Sequence, residues 1–233
     1  MDGAARAAAV ATNSVLGEFA VNRSRSQDRC GLQGCQGADV RETGADVRQQ
    51  ICLPLIKLRG MKFSDLLSLP YSDRTSRIDL DAIKAALPLV PESVATQLLS
   101  DHGRNEQFQD RYGHLILSTL HWEVEGHSAS QLVSADVNPE FKQWFCTVAA
   151  RADSFAQASW KCVDSRTEIR EHWAAHGTWL TPPVMLDASL VGSVASLFLI
   201  EGHTRLGLLS GLVRRGIISG SSTHLAWVGR NAA

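Results

Sequence analysis

The sequence predicts an α+β protein, and three observations carry that prediction. Residues 195–200 (Ala-Ser-Leu-Phe-Leu-Ile) are a near-continuous apolar run, as expected for a strand covered on both faces. Residues 114–125 (HLILSTLHWEVE) alternate apolar and polar, the period of a half-buried strand. Residues 139–158 instead place Phe141, Trp144, Phe145, Val148 and Ala149 at spacings of three and four behind Pro139, the period of a helix.

A chain of 233 residues holds one domain, or one domain with an appendage. Its 44% hydrophobic and 20% charged residues exclude wholesale disorder, a collagen-like fibre and a coiled-coil rod. The net charge of -1 excludes a polycation that coats nucleic acid. No apolar stretch reaches the ~20 residues that span a bilayer, so no membrane partner is expected. The five cysteines (Cys30, Cys35, Cys52, Cys146 and Cys162) are odd in number and widely spaced. They form no CxxC pair and suggest no disulfide framework. The N-terminus lacks the basic segment of a signal peptide, and a reduced, cytoplasmic protein is predicted.

Residues 1–60 differ from the rest. They repeat Gly-Ala-Asp-Val-Arg at 37–41 and 44–48 and contain Phe19 as their one aromatic residue. Such a stretch buries too little apolar surface to offset an ordering entropy of roughly 1–2 kcal/mol per residue, and disorder is expected, with a short helix near 4–20. Met61-Lys62-Phe63-Ser64-Asp65-Leu66-Leu67 reads like a natural start, and residues 1–60 are expected to be an upstream extension with no folded role.

Residues 61–111 read as a helical lead-in. Asp79 or Ser76 caps a helix carrying Leu80, Ile83, Ala86 and Leu87 before Pro88. A second helix starts near Pro91, carries Val94, Leu98 and Leu99, and ends at Gly103. In the remaining domain, 112–233, a helix at 165–176 carries Ile169 and Trp173 and stops at Gly177. Residues 182–187 (Pro-Pro-Val-Met-Leu-Asp) form a short buried strand, and Gly192 lies in a turn. Glu201-Gly202-His203-Thr204 is then a tight turn. Arg205–Arg215 is a helix closed by Gly216, and 224–229 is a last strand.

The strand–turn–helix at 196–216 is the best functional signal. The first N–H groups of a helix lack backbone partners, and the helix dipole adds about half a positive charge there. Gly202 lets backbone approach a ligand, and His203, Thr204 and Arg205 supply donors. A phosphate suits this geometry. After Glu201 there is no Asp or Glu, whereas Arg205, Arg214, Arg215 and Arg230 follow. Gly207 and Gly211 each cost a helix ~1 kcal/mol relative to Ala, which implies close packing of that helix on the sheet.

These residues resemble a known superfamily. Ile200-Glu201-Gly202-His203-Thr204-Arg205-Leu206 between a strand and a helix, preceded by Trp173-Ala174-Ala175-His176-Gly177 and Leu180-Thr181-Pro182-Pro183-Val184-Met185-Leu186-Asp187, is similar to the ParB/sulfiredoxin-like pattern over about 165–230. The resemblance implies an α+β domain with a mixed sheet at 112–233. It also implies a nucleotide-phosphate site for ATP, ADP or CTP with Mg²⁺, in which Gly202, His203, Thr204 and Arg205 hold phosphate oxygens. Glu201 would line the site or place a metal-bound water, and Asp187 would join it on Mg²⁺. His203 and Thr204 stand where the sulfiredoxin pattern has Cys and His, which excludes sulfiredoxin chemistry. The double arginine of the ParB box and a following helix-turn-helix are missing, which argues against chromosome partitioning. Glu-Gly-His-Thr-Arg-Leu sits nearest the kinase-like and nuclease-annotated members.

The implied function is nucleotide-phosphate binding with phosphotransferase or nucleotide hydrolase activity. The alternatives are a non-catalytic DNA-associated or partner-binding module, and a ParB-like nuclease. The plainer reading of 201–205 is a strand-to-helix connection with a surface His and Arg. Arg214 and Arg215 read as complements to a helix C-terminus, and Asp187 as a turn aspartate. Glu125-Gly126-His127 reads as a loop, and His172 and His176 as a surface pair. Trp144, Trp160, Trp173 and Trp179 read as core, and Cys146 and Cys162 as small buried hydrophobes.

Overall fold

The computed structural model describes residues 60–232. The expectations for 1–59, including the repeat, Cys30, Cys35 and Cys52, lie outside the described residues. The protein is α+β, with one five-stranded mixed sheet.

The lead-in begins with a 3-10 turn at Phe63–Ser68, followed by α1 (Leu80–Ala86). Asp79 caps α1 by accepting from the amides of Asp81 and Ala82, whereas Ser76 takes a positive φ outside the helix. The helix α2 (Glu92–Val94) starts after Pro91 and runs on as a π-helical stretch, Ala95–Ser100. The helix α3 (Glu106–Tyr112) is capped by Asn105. The first strand, β1, spans Leu120–Ser128 rather than 114–125, because Leu117–Thr119 is taken up by a 3-10 turn. Glu125-Gly126-His127 is therefore strand and not loop, with the three residues opposite Ala226, Leu225 and His224.

A short helix α4 (Ala129–Val133) and a two-residue strand β2 (Asp136–Val137) follow. The predicted helix at 139–158 is segmented: a 3-10 turn, α5 (Lys142–Ala150), a second 3-10 turn and α6 (Phe155–Ala158). The helix α7 (Thr167–His176) ends at Gly177 in the left-handed region, as its spacing predicts. The strands β3 (Val184–Asp187) and β4 (Leu197–Glu201) are joined through Gly192. Then come α8 (His203–Arg214) and β5 (Thr223–Asn231). The sheet order is β1-β5-β3-β4-β2, with β1–β5 and β3–β4 antiparallel and β3–β5 and β2–β4 parallel.

Two cores sandwich the sheet. One packs Met185, Leu197, Leu199, Ala226 and Val228 against Leu206, Leu209 and Leu212 of α8. The other packs Val184, Leu186, Phe198 and Ile200 against Ile83, Val94, Leu98 and Phe108 of the lead-in and Tyr112 at the end of α3. Both faces of β4 are thus covered, and residues 197–200 are fully buried. The lead-in shares its core with the sheet, so the boundary at 111/112 does not separate two cores.

Gly207 and Gly211 do permit close packing, but against α5 and not the sheet. A Cβ at Gly207 would stand 3.0 Å from the Phe145 carbonyl oxygen, and one at Gly211 would stand 2.1 Å from that of Ala149. Trp173 and Trp179 are core, but Trp144 is exposed and Trp160 half-buried. Cys146 is exposed and Cys162 intermediate, so the reading of both as buried fails: α5 packs on α8 through Val148 and Ala149, leaving Cys146 on its outer face. No helix among the described residues is long and apolar enough to cross a membrane.

Candidate anion site at the β4–α8 turn

The tight turn expected at 201–204 is a single residue. Glu201 ends β4, Gly202 alone turns the chain at φ 105, and α8 begins at His203. Only glycine takes that conformation without strain. It also clears the space, since a Cβ there would meet Pro183 Cβ at 2.6 Å. Glycine offers no side chain to cap α8, so its first-turn amides keep their donors free of a side-chain cap.

Arg205 lies across this glycine: its Nε and Nη2 would stand 3.1 Å from a Cβ at 202. The guanidinium bonds the Glu201 carboxylate through Nη2. Through Nη1 it donates to Gln97 Oε1 at 2.6 Å and to the Thr181 carbonyl at 3.0 Å. The other Glu201 carboxylate oxygen faces His102 Nε2 at 3.9 Å. Burial pushes the Glu201 carboxyl upward, but His102 and the Arg205 charge outweigh it and hold it below the usual carboxylate range. Glu201 is an anion at neutral pH.

His203 is half-buried rather than a surface residue. Its ring packs on Phe141 at 4.5 Å, and its Nε2 is buried without a partner. Burial drives its pKa down to about 4, Glu201 opposing and His102 and Arg205 adding to the shift. At neutral pH it therefore brings a backbone N–H and an uncharged ring, not a cation. Thr204 is half-buried in the first turn of α8.

Asp187 does not belong to this site. The β3–β4 register sets Val184 beside Glu201 and Asp187 beside Leu197. At ~3.3 Å per residue, Asp187 and Glu201 lie roughly 10–13 Å apart along the strands, too far to share one ion. The antiparallel return of β4 carries Glu201 to the other end of the pair. Asp187 caps the following 3-10 turn, accepting from Ser189 N at 3.0 Å and Ser189 Oγ at 2.6 Å.

The run of arginines after Glu201 is not a basic patch either. Arg214 meets Asp153 at 3.0 Å, and Arg215 approaches the same carboxylate at 4.0 Å. Arg230 makes a two-pronged contact with Glu125 and lies 4.0 Å from Asp187. Each arginine finds an acid from earlier in the chain. His172 and His176 pack ring to ring at 4.6 Å. Among the described residues no group of three or more His, Cys, Asp or Glu is arranged to hold a metal.

The sequence reading missed Gln97 and His102. Both belong to the lead-in, which carries no site motif, although Gln97 sits in a π-helical stretch of the kind that often marks functional positions. His102 is oriented by stacking on Phe108, with ring centroids 4.5 Å apart.

The fold and this turn define an α+β protein with an uncapped helix N-terminus and a half-buried Glu–Arg pair beside it. No protein-family model, no curated protein and no solved structure matches the chain.

Proposed function

We propose that the protein binds a phosphorylated ligand of the nucleotide class (ATP, ADP or CTP) at the β4–α8 turn, in a domain of ParB/sulfiredoxin type. One observation carries this reading. The N-terminal amides of α8 open behind Gly202 without a side-chain cap, and the Arg205 guanidinium lies over that same glycine. Oriented amides, a helix dipole and a guanidinium favour phosphate oxygens. Gly202 supplies close approach, His203 and Thr204 their backbone N–H groups, and Arg205 the charge. Glu201 is the carboxylate at the turn, and it is bonded to Arg205. That donor set fits Mg²⁺ that arrives on the nucleotide's phosphates better than a resident ion.

The alternative, a non-catalytic DNA-associated or partner-binding module, would use the same turn, and the pairing of Arg214, Arg215 and Arg230 with Asp153, Glu125 and Asp187 leaves it no wider basic surface there. Isothermal titration of the full chain with ATP, ADP and CTP, with and without Mg²⁺, tests the reading. Arg205→Ala should abolish binding while a thermal melt shows the chain still folded. Binding that persists in that folded variant refutes the site.

A further inference from the structure

We infer that Glu201 is an internal competitor for the anion: its carboxylate occupies the guanidinium that a phosphate needs. This inference rests on the phosphate reading above and adds how the site is regulated. Glu201 and Arg205 flank Gly202 as an i, i+4 pair, and each side chain is 23% exposed. A phosphate on the α8 amides and Arg205 would lie beside the Glu201 carboxylate, and like charges at such range repel strongly where water is scarce. Arg205 need not move to be released, because Gln97 and the Thr181 carbonyl hold its other nitrogen.

Glu201 also has a second resting place. Its other carboxylate oxygen faces His102 Nε2 at 3.9 Å, a separation that a small rotation of either side chain closes. His102 is held for this by its stack on Phe108. The charged and titratable groups around the exchange are Glu201, Arg205, His102, the uncharged His203 and, acting on Arg205, Arg166. His102 is thus a positioning residue: it receives the displaced carboxylate and does not touch the ligand.

The test is titration calorimetry of the full chain with inorganic pyrophosphate. Glu201→Gln keeps the shape and removes the charge, and it should bind at least 10-fold more tightly than the wild type. His102→Ala should bind several-fold more weakly when Glu201 is present, and should change nothing in the Glu201→Gln background. If Glu201→Gln melts below the assay temperature, Glu201→Ser replaces it with the same expected gain. Equal or weaker binding by the Glu201 variant overturns the inference. The phosphate reading then survives if the wild type still binds and Arg205→Ala does not. Absence of binding in the wild type and the Glu201 variant alike overturns both.

Discussion

Gln97 accepts a 2.6 Å hydrogen bond from Arg205, 108 residues further along the chain. This contact joins the lead-in to the turn at the end of β4. It makes the π-helical stretch of α2 part of the candidate site, since Gln97 and Thr181 between them aim the guanidinium.

Gln97→Ala should therefore weaken anion binding although it leaves 201–205 intact. That hydrogen bond to a charged group, worth about 1.5–3 kcal/mol, is made with or without an anion, so most of it falls on stability and only the part that orients the guanidinium reaches affinity, a loss of several-fold. Pyrophosphate titration against the wild type measures it. Unchanged affinity would detach the lead-in from the site.

Gly202→Ala should destabilise the protein by roughly 1–3 kcal/mol, because φ 105 strains any Cβ-bearing residue and the new methyl meets Pro183 at 2.6 Å. The same methyl pushes on Arg205, so binding should fall along with stability. Urea unfolding and titration of the one variant read both effects.

Gly211→Ala should also destabilise, by about 1–3 kcal/mol or more, because its methyl would stand 2.1 Å from a backbone oxygen of α5 that no rotamer change can move. The gain in helix propensity, ~1 kcal/mol, does not offset this. Gly207→Ala, at 3.0 Å from the Phe145 oxygen, should cost less. Urea midpoints of the two variants give the order, and a stabilised Gly211→Ala would refute the close crossing of α5 and α8.

Acid should destabilise the fold partly through His203. The unfolded chain takes up this proton near the usual histidine value of 6.5, whereas the folded chain resists until about 4. Between those values the unfolded state holds more protons, so this contribution is complete above pH 6.5 and is lost as the pH falls toward 4. Its size is on the order of 1–3 kcal/mol. Half-buried His127 and buried His224 shift the same way, so His203→Gln should shallow the decline without abolishing it. Urea unfolding at pH 7 and pH 4.5 measures this, and an equal loss in wild type and variant would refute the assignment.

Local patterns in the sequence determined much of the fold. Apolar runs marked β3 and β4, Asp79 was one of two caps marking the start of α1, and Gly177 and Gly216 marked helix ends, because each acts through neighbours one turn or one residue away. The Glu201-Gly202-Arg205 turn was legible for the same reason. The order and register of the strands were decided only in three dimensions. The register took Asp187 to the far end from Glu201, and β1 runs on through Gly126 because β5 pairs with it, although the buried–exposed alternation stops at the exposed Val124. Pairing across the chain neutralised the late arginines with Asp153, Glu125 and Asp187, which no local window contains. Gln97 and His102 joined the site for the same physical reason: a hydrophobic core shared between the lead-in and the sheet brings together polar groups that sequence distance keeps apart.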